Sequence, residues 1–391
     1  WLDIGLWAVA LVAGTWWLAL LHASRPSESG SPLVAALPLA LAADLALRAA
    51  FRTVPVVDQP LALALPLVLA ATLVFAAAGL AALGADRAWT SPGPRGALGL
   101  VGVPAVLLAS ETGGTNAAQV AGAAGLGVGP EGPGSLYLVM VVLGLGMTAG
   151  AFALARERPA HRAFAGAAIV AGAVLLWADV PLVPALGGAA LAAGLIVASA
   201  ILSDTARRPA RSPIMAVGAL GIGWIAFVAA VFVFYAYYAY APAVWVAGGL
   251  VILTVAVSSP AAGRHAGPPT LLLVAALAVL VPVVALVSTP SVAIVPAQRS
   301  FRLMTYNVHQ GVNEGNVPAL DEIADTIARE APDVVVLQEV VRGWMITQQH
   351  DVLTVLAERL GMSYVFGPAI GDVYGNAVLS RFPLSDVRYV R

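Results

Sequence analysis

The chain has 391 residues, 60% of them hydrophobic and 10% charged, against about 25% charged in an ordinary soluble domain. A mean hydropathy of +0.88 argues against a wholly soluble enzyme and makes lipid the expected solvent for most of the length. The 20 basic residues, all Arg, face 21 acidic ones, so no basic tail marks a nucleic-acid binder, and with no Cys any metal must use oxygen or His.

In chain order, apolar runs able to cross about 30 Å of hydrocarbon recur about ten times. They lie near 4–21, 33–51, 61–83, 97–110, 136–155, 163–177, 182–202, 214–240, 243–258 and 270–288. The 97–110 and 163–177 runs are short, and the Gly-rich stretch 113–134 suits a re-entrant or broken helix. Arg25, Arg87, Arg95, Arg156, Arg158, Arg162, Arg207, Arg208, Arg211 and Arg264 all follow odd-numbered runs, whereas even-numbered runs are followed only by Arg52. Positive charge collects in cytoplasmic loops, so the segment after the tenth run is expected on the exoplasmic side. Tyr235, Tyr237, Tyr238 and Tyr240 then fall at the outer headgroup layer and read as an aromatic belt, with a lipid-headgroup binding site as the alternative. Asp44 and Arg48, four residues apart on one helix face, are placed to pair as a structural ion pair, with a substrate relay as the alternative. Glu111, Thr112, Asn116 and Gln119 read as a solvated exoplasmic loop, with a headgroup contact as the alternative.

The composition changes near Arg299. The expected division is a polytopic membrane domain over 1–290, a linker over 291–298 and an α/β unit over 299–391. Residues 301–306 alternate as a strand, and 307–315 form a polar loop. A helix is predicted over 318–330, with Leu320, Ile323 and Ile327 on its apolar face, Pro318 in its first turn and Pro332 beyond its end. Residues 333–337 form a buried strand that delivers Gln338 and Glu339. A second helix over 351–360 is capped by Gly361, and strands follow near 364–366 and 377–380. This order can set Asn307 and Glu339 side by side on neighbouring strands. Two such oxygen donors suit a hard cation such as Mg²⁺ or Mn²⁺, held by one or two carboxylates, water and substrate phosphate. By spacing alone, a solvated Glu at a strand edge competes with that reading.

Three runs in order carry a resemblance: Met304-Thr305-Tyr306-Asn307-Val308-His309; Pro332-Asp333-Val334-Val335-Val336-Leu337-Gln338-Glu339-Val340; and Gly375-Asn376-Ala377-Val378-Leu379-Ser380-Arg381-Phe382-Pro383-Leu384. Together they resemble the endonuclease/exonuclease/phosphatase superfamily. Arg342-Gly343-Trp344 and the run 360–369 look like its membrane-anchored members, among them the calcofluor-white-hypersensitive proteins of GPI-anchor lipid remodelling. The resemblance implies a multi-pass helical membrane protein followed by the N-terminal part of a four-layered α/β sandwich. It implies Glu339 as a metal ligand and Asn307 as the group orienting metal or phosphate. It puts His309 in the loop beside the site, Gln338 behind Glu339, and Asn376 with Arg381 in a mainly structural third motif. The family's Asp-x-Asn and Ser-Asp-His elements, which orient and activate the attacking water, would lie downstream of Arg391. Residues 299–391 alone are therefore expected to be inactive and to leave a sheet edge unpaired.

The implied activity is metal-dependent hydrolysis of a phosphate ester, on a phospholipid or GPI-like glycolipid headgroup near the membrane. A nuclease is the alternative, disfavoured because residues 299–391 carry 8 Arg against 11 Asp and Glu. From another class, the helices could form a transporter or lipid-binding scaffold with a non-catalytic soluble domain.

Overall fold

The computed structural model describes residues 36–51, 61–70, 108–125, 134–155, 161–176, 180–205 and 300–388 (except 316, 345–349 and 371–372), with a few scattered positions. The expected runs 4–21 and 243–258, the tyrosines at 235–240 and most of 214–240 and 270–288 lie outside the described residues.

The helical part contains α1 (Ala36–Ala50), α2 (Leu61–Ala70), a π-helical turn (Ser110–Gly114), α3 (Ala117–Ala123), α4 (Gly134–Ala155), α5 (His161–Leu176) and α6 (Val183–Thr205). Helix α6 is apolar all round and mostly buried. It packs against α4 and α5 along its length and also meets α1 and α3. Small residues permit this approach: a Cβ on Gly172 would stand 2.6 Å from the Leu191 backbone nitrogen, so α5 and α6 touch through their backbones. The Asp44–Arg48 pair forms as expected, with Nε donating to Oδ2 at 2.9 Å.

Among the described residues only two helices, at Leu136–Ala153 and Val183–Ala200, are long and apolar enough to cross a membrane, where about ten were expected. Within the described residues α1 and α5 comprise 15 and 16 residues, or about 22–24 Å at 1.5 Å per residue. The stretch after 108 is broken into the π turn and the seven-residue α3. The polar loop expected at 111–119 is also corrected: Asn116 and Gln119 are buried, because the Asn116 carboxamide oxygen caps α3 by accepting from the Gln119 N–H. The side chains of Glu111 and Thr112 lie outside those described.

The C-terminal part is a four-stranded mixed sheet in the order β1-β2-β4-β3, formed by β1 (Leu303–Asn307), β2 (Val334–Val341), β3 (Ser363–Ile370) and β4 (Tyr374–Ser380). Strands β1 and β2 are parallel and joined through α7 (Leu320–Glu330), while β4 is antiparallel to both its neighbours. Helix α8 (Val352–Leu360) lies between β2 and β3 in sequence. Its Leu353 and Leu356 join Ile323 and Ile327 of α7 over one sheet face, on Val335, Leu337, Tyr364, Phe366, Ala377 and Leu379. Gly361 closes α8 in the left-handed region at φ 62°, and Asp351 caps its start by accepting from the Thr354 N–H. Pro318 does not enter the first helical turn: it bridges back to Val312, and α7 begins at Leu320. The other sheet face is more open, with Thr305 and Asn307 exposed and Val334, Val336 and Val378 half-buried.

One ion pair is wholly inside this part. Arg342, just past β2, donates through Nε and Nη2 to the two carboxylate oxygens of Asp351 at 3.1 and 2.9 Å, and both side chains are fully buried. Replacing Asp351 by Ala is expected to cost about 3–5 kcal/mol because Arg342 would be left buried and unpaired. The joint change Arg342→Met, Asp351→Leu should cost less than either single truncation, as urea unfolding would read.

Candidate active site

Both candidate residues stand at the carboxyl ends of the two parallel strands, where open α/β sheets place ligands. Asn307 closes β1 in register with Gln338. Beyond Leu337 the β2–β4 register shifts and resumes at Val340 opposite Gly375. Gln338 and Glu339 together therefore face Asn376, a β-bulge that re-aims a side chain. Glu339 takes φ 56°, a conformation that costs a non-Gly residue about 1–2 kcal/mol. The reward is a hydrogen bond: the Asn307 Nδ2 donates to Glu339 Oε1 at 2.9 Å.

The amide of Asn307 is oriented without ambiguity. Its Oδ1 accepts from the His309 backbone N–H at 2.8 Å, a group that can only donate, so the amide nitrogen is the atom facing Glu339. Residues 309–311 form a tight turn in which His309, Gln310 and Gly311 all have positive φ (44°, 59° and 83°). His309 itself is exposed. Gln338 points to the open face, where its Nε2 donates to Thr305 Oγ1 at 3.1 Å and to the Val336 carbonyl at 3.2 Å. Asn376 is exposed on β4 opposite the bulge, and Arg381 lies past the end of β4, its backbone N–H donating to the Asp333 carbonyl. The structure thus joins Asn307, Glu339 and the His309 backbone, and leaves Arg381 at the other end of β4.

Sequence reasoning missed Tyr374 and Trp344. Tyr374 begins β4 opposite Val341, and its ring stacks on Trp344 with centroids 5.3 Å apart. Burial and the nearby Glu339 carboxylate both push the Tyr374 phenol above its ordinary pKa, so the neutral form is favoured. The sequence offered only their aromatic character and the place of Trp344 in the Arg342-Gly343-Trp344 run. Their meeting depends on the antiparallel pairing of β2 with β4, which sets Tyr374 opposite Val341.

Among the described residues no group of three or more His, Asp or Glu side chains converges to hold a metal. The donor chemistry still fits Mg²⁺ or Mn²⁺, which takes one or two carboxylates and completes its shell with water and substrate phosphate. Glu339 would supply the carboxylate, with Oε1 accepting from the Asn307 amide.

Residues 304–391 match the sequence model of the Endonuclease/Exonuclease/phosphatase family. The match covers under a quarter of the chain. Its members are generally hydrolases and usually depend on divalent metal, so it supports a hydrolase acting on phosphoesters or nucleic acid. The mixed sheet fits a partial domain of that kind. No curated protein and no solved structure matches the chain.

Two outcomes are expected. Because only Gly adopts φ 56° without strain, Glu339→Gly should be more stable than Glu339→Ala by about 1 kcal/mol, as denaturant unfolding would show. For Tyr374, the native state holds its proton more tightly than the unfolded chain. Its stabilisation is full below the ordinary phenol value of about 10 and is lost as pH rises through the folded value. Tyr374→Phe should flatten that alkaline fall.

Proposed function

We propose that the protein is a membrane-anchored, divalent-metal-dependent phosphoesterase whose α/β domain acts on a phospholipid or GPI-like glycolipid headgroup at the exoplasmic face. The observation that carries the reading is the bulged, left-handed Glu339, held by Asn307 at the carboxyl end of a parallel strand pair. A residue pays backbone strain of this kind where the direction of its side chain matters. Glu339 would hold the Mg²⁺ or Mn²⁺, which when bound supplies charge neutralisation on the phosphoryl oxygens. Asn307 keeps the carboxylate turned to the strand ends, and Gln338 is tied to Thr305 behind it. His309 and Asn376, exposed on either side, stand where a headgroup would enter. The reaction is hydrolysis, in which water adds to phosphorus, the ester P–O bond breaks and the leaving alkoxide takes a proton.

The support for a lipid substrate is placement. Glu339 is four residues from Gly343, whose carbonyl accepts a hydrogen bond from Asn116 of the helical part, a strand distance of about 13 Å. The outer faces of α4 and α5 expose Leu138, Leu145, Phe152, Phe164 and Val174, an apolar exterior suited to lipid. The Arg bias of the loops in the sequence is what supports an exoplasmic α/β domain.

In the full-length natural protein, Glu339→Gln should abolish Mg²⁺-dependent hydrolysis while leaving the fold intact. Inositol phospholipid in mixed micelles should be cleaved in preference to DNA. Preference for DNA would replace this substrate with the nuclease alternative, and hydrolysis indifferent to Glu339→Gln would remove the enzyme reading.

A further inference from the structure

The end of β2 is held from three sides. The Arg342 N–H donates to the Val373 carbonyl at 2.7 Å, and the Gly343 N–H donates to the His350 carbonyl at 2.8 Å. The third hold comes from the helical bundle: Asn116 Nδ2 donates to the Gly343 carbonyl at 2.6 Å. Asn116 is buried, and both halves of its amide are used, since its Oδ1 caps α3 through the Gln119 N–H. Gly343 is shaped for this seat. It adopts φ 74°, and a Cβ there would fall 2.9 Å from the Ala118 Cβ, so neither another backbone nor another side chain fits. A second hydrogen bond joins the same two bodies, from the Tyr137 hydroxyl on α4 to Glu358 Oε1 on α8 at 2.8 Å.

The held segment leads to the site by two routes. Upstream, Gly343 is separated from Glu339 by Val340, Val341 and Arg342, all buried and extended. Across the β2–β4 pairing, Val373 adjoins Tyr374, whose ring stacks on Trp344, the residue after Gly343, and feels the Glu339 carboxylate. A shift of the Gly343 turn therefore moves the strand that carries the carboxylate and the aromatic pair beside it.

We propose that Asn116 is a positioning residue of the phosphoesterase site: through Gly343 the helical bundle sets the end of β2 and thereby the Glu339 carboxylate. The inference rests on the proposed function for what Glu339 does, and adds that the helices help to build the site as well as anchoring it. Docking of the domain on the bundle then governs turnover, and a displacement of about 1 Å at reacting groups can cost about 100-fold in rate.

The test uses the full-length protein in detergent. Asn116→Ser keeps an oxygen able to cap α3 but is too short to reach Gly343. Tyr137→Phe keeps the buried ring and removes only the second hydrogen bond. In Asn116→Ser we expect faster amide exchange across 338–344 and a kcat for Mg²⁺-dependent hydrolysis of a soluble phosphodiester lower by about 10- to 100-fold, with KM little changed. Tyr137→Phe should shift both in the same direction by less. Exchange and kcat at wild-type values in both variants would overturn the inference, as would faster exchange with kcat untouched. If the wild-type protein hydrolyses nothing, the phosphoesterase reading fails by itself. Amide exchange then decides the mechanical link, which stands if Asn116→Ser speeds it across 338–344 and falls if it does not.

Discussion

Two charges removed wholly from water, the Arg342 guanidinium and the Asp351 carboxylate, tie the end of β2 to the start of α8. Burial works against the charge on Arg342, but the attraction of Asp351, then of Tyr364, and hydrogen bonds to both hold its pKa above the ordinary value. The guanidinium also lies 5.5 Å from the ring centres of Tyr364 and Phe366, so the pair is wrapped by the aromatic core of β3. Asp351 further accepts from the Thr354 hydroxyl and N–H, which uses its remaining lone pairs and fixes the first turn of α8. The carboxylate is fully satisfied, whereas Arg342 Nη1 is buried without a hydrogen-bond partner among the described residues, so the pair is held by the Asp351 side and by the aromatic rings. Three residues before it stands Glu339, and one residue after it Gly343, so the site and the bundle contact both hang from the same buried anchor.

That anchor makes local strain affordable upstream. The bulge at Gln338 and Glu339 interrupts the β2–β4 ladder, and Glu339, His309 and Gln310 all take left-handed backbone conformations. Such residues are held by the structure around them rather than by their own preferences. Here the holding groups are the paired strands below, the Asn307 amide between Glu339 and His309, and the Arg342–Asp351 pair above. The family match over residues 304–391 supports a hydrolase of phosphoesters or nucleic acid at the coarse level. The local arrangement also explains why the nearby Tyr374 stays protonated, next to a carboxylate and partly shielded from water.

The helical part supplies a rigid seat. Backbone contact between α5 and α6 through Gly172 and Gly187 leaves little room for sliding, and Asn116 is fixed by its own helix cap before it reaches Gly343. A polar residue buried at the end of an apolar bundle must find a partner. Here that partner belongs to another part of the chain, 227 positions away in sequence.

Much of the α/β part was legible because its signals are local. The periodicity of 320–330 and 352–360, the Gly361 stop and the alternation of the strands all act within a few residues, so the elements, the order of β1, α7 and β2, and the nearness of Asn307 and Glu339 followed from sequence. The end of β2 did not: Gln338-Glu339 reads as a polar terminus, whereas the strand bulges there and continues to Val341. Among the described residues helix continuity was the weakest reading, because hydropathy reports solvent preference and is blind to the backbone break that splits the stretch after 108 into a π turn and a short helix. The sequence by itself determined which residues are apolar, which segments can be helix or strand, and which side chains can bind a hard cation, since these depend on residue chemistry and short-range spacing. Only the tertiary structure decided the direction of the Glu339 carboxylate, the stacking of Trp344 on Tyr374 and the seating of Gly343 on Asn116. Each requires groups distant along the chain to meet in one register, and that register is set by packing.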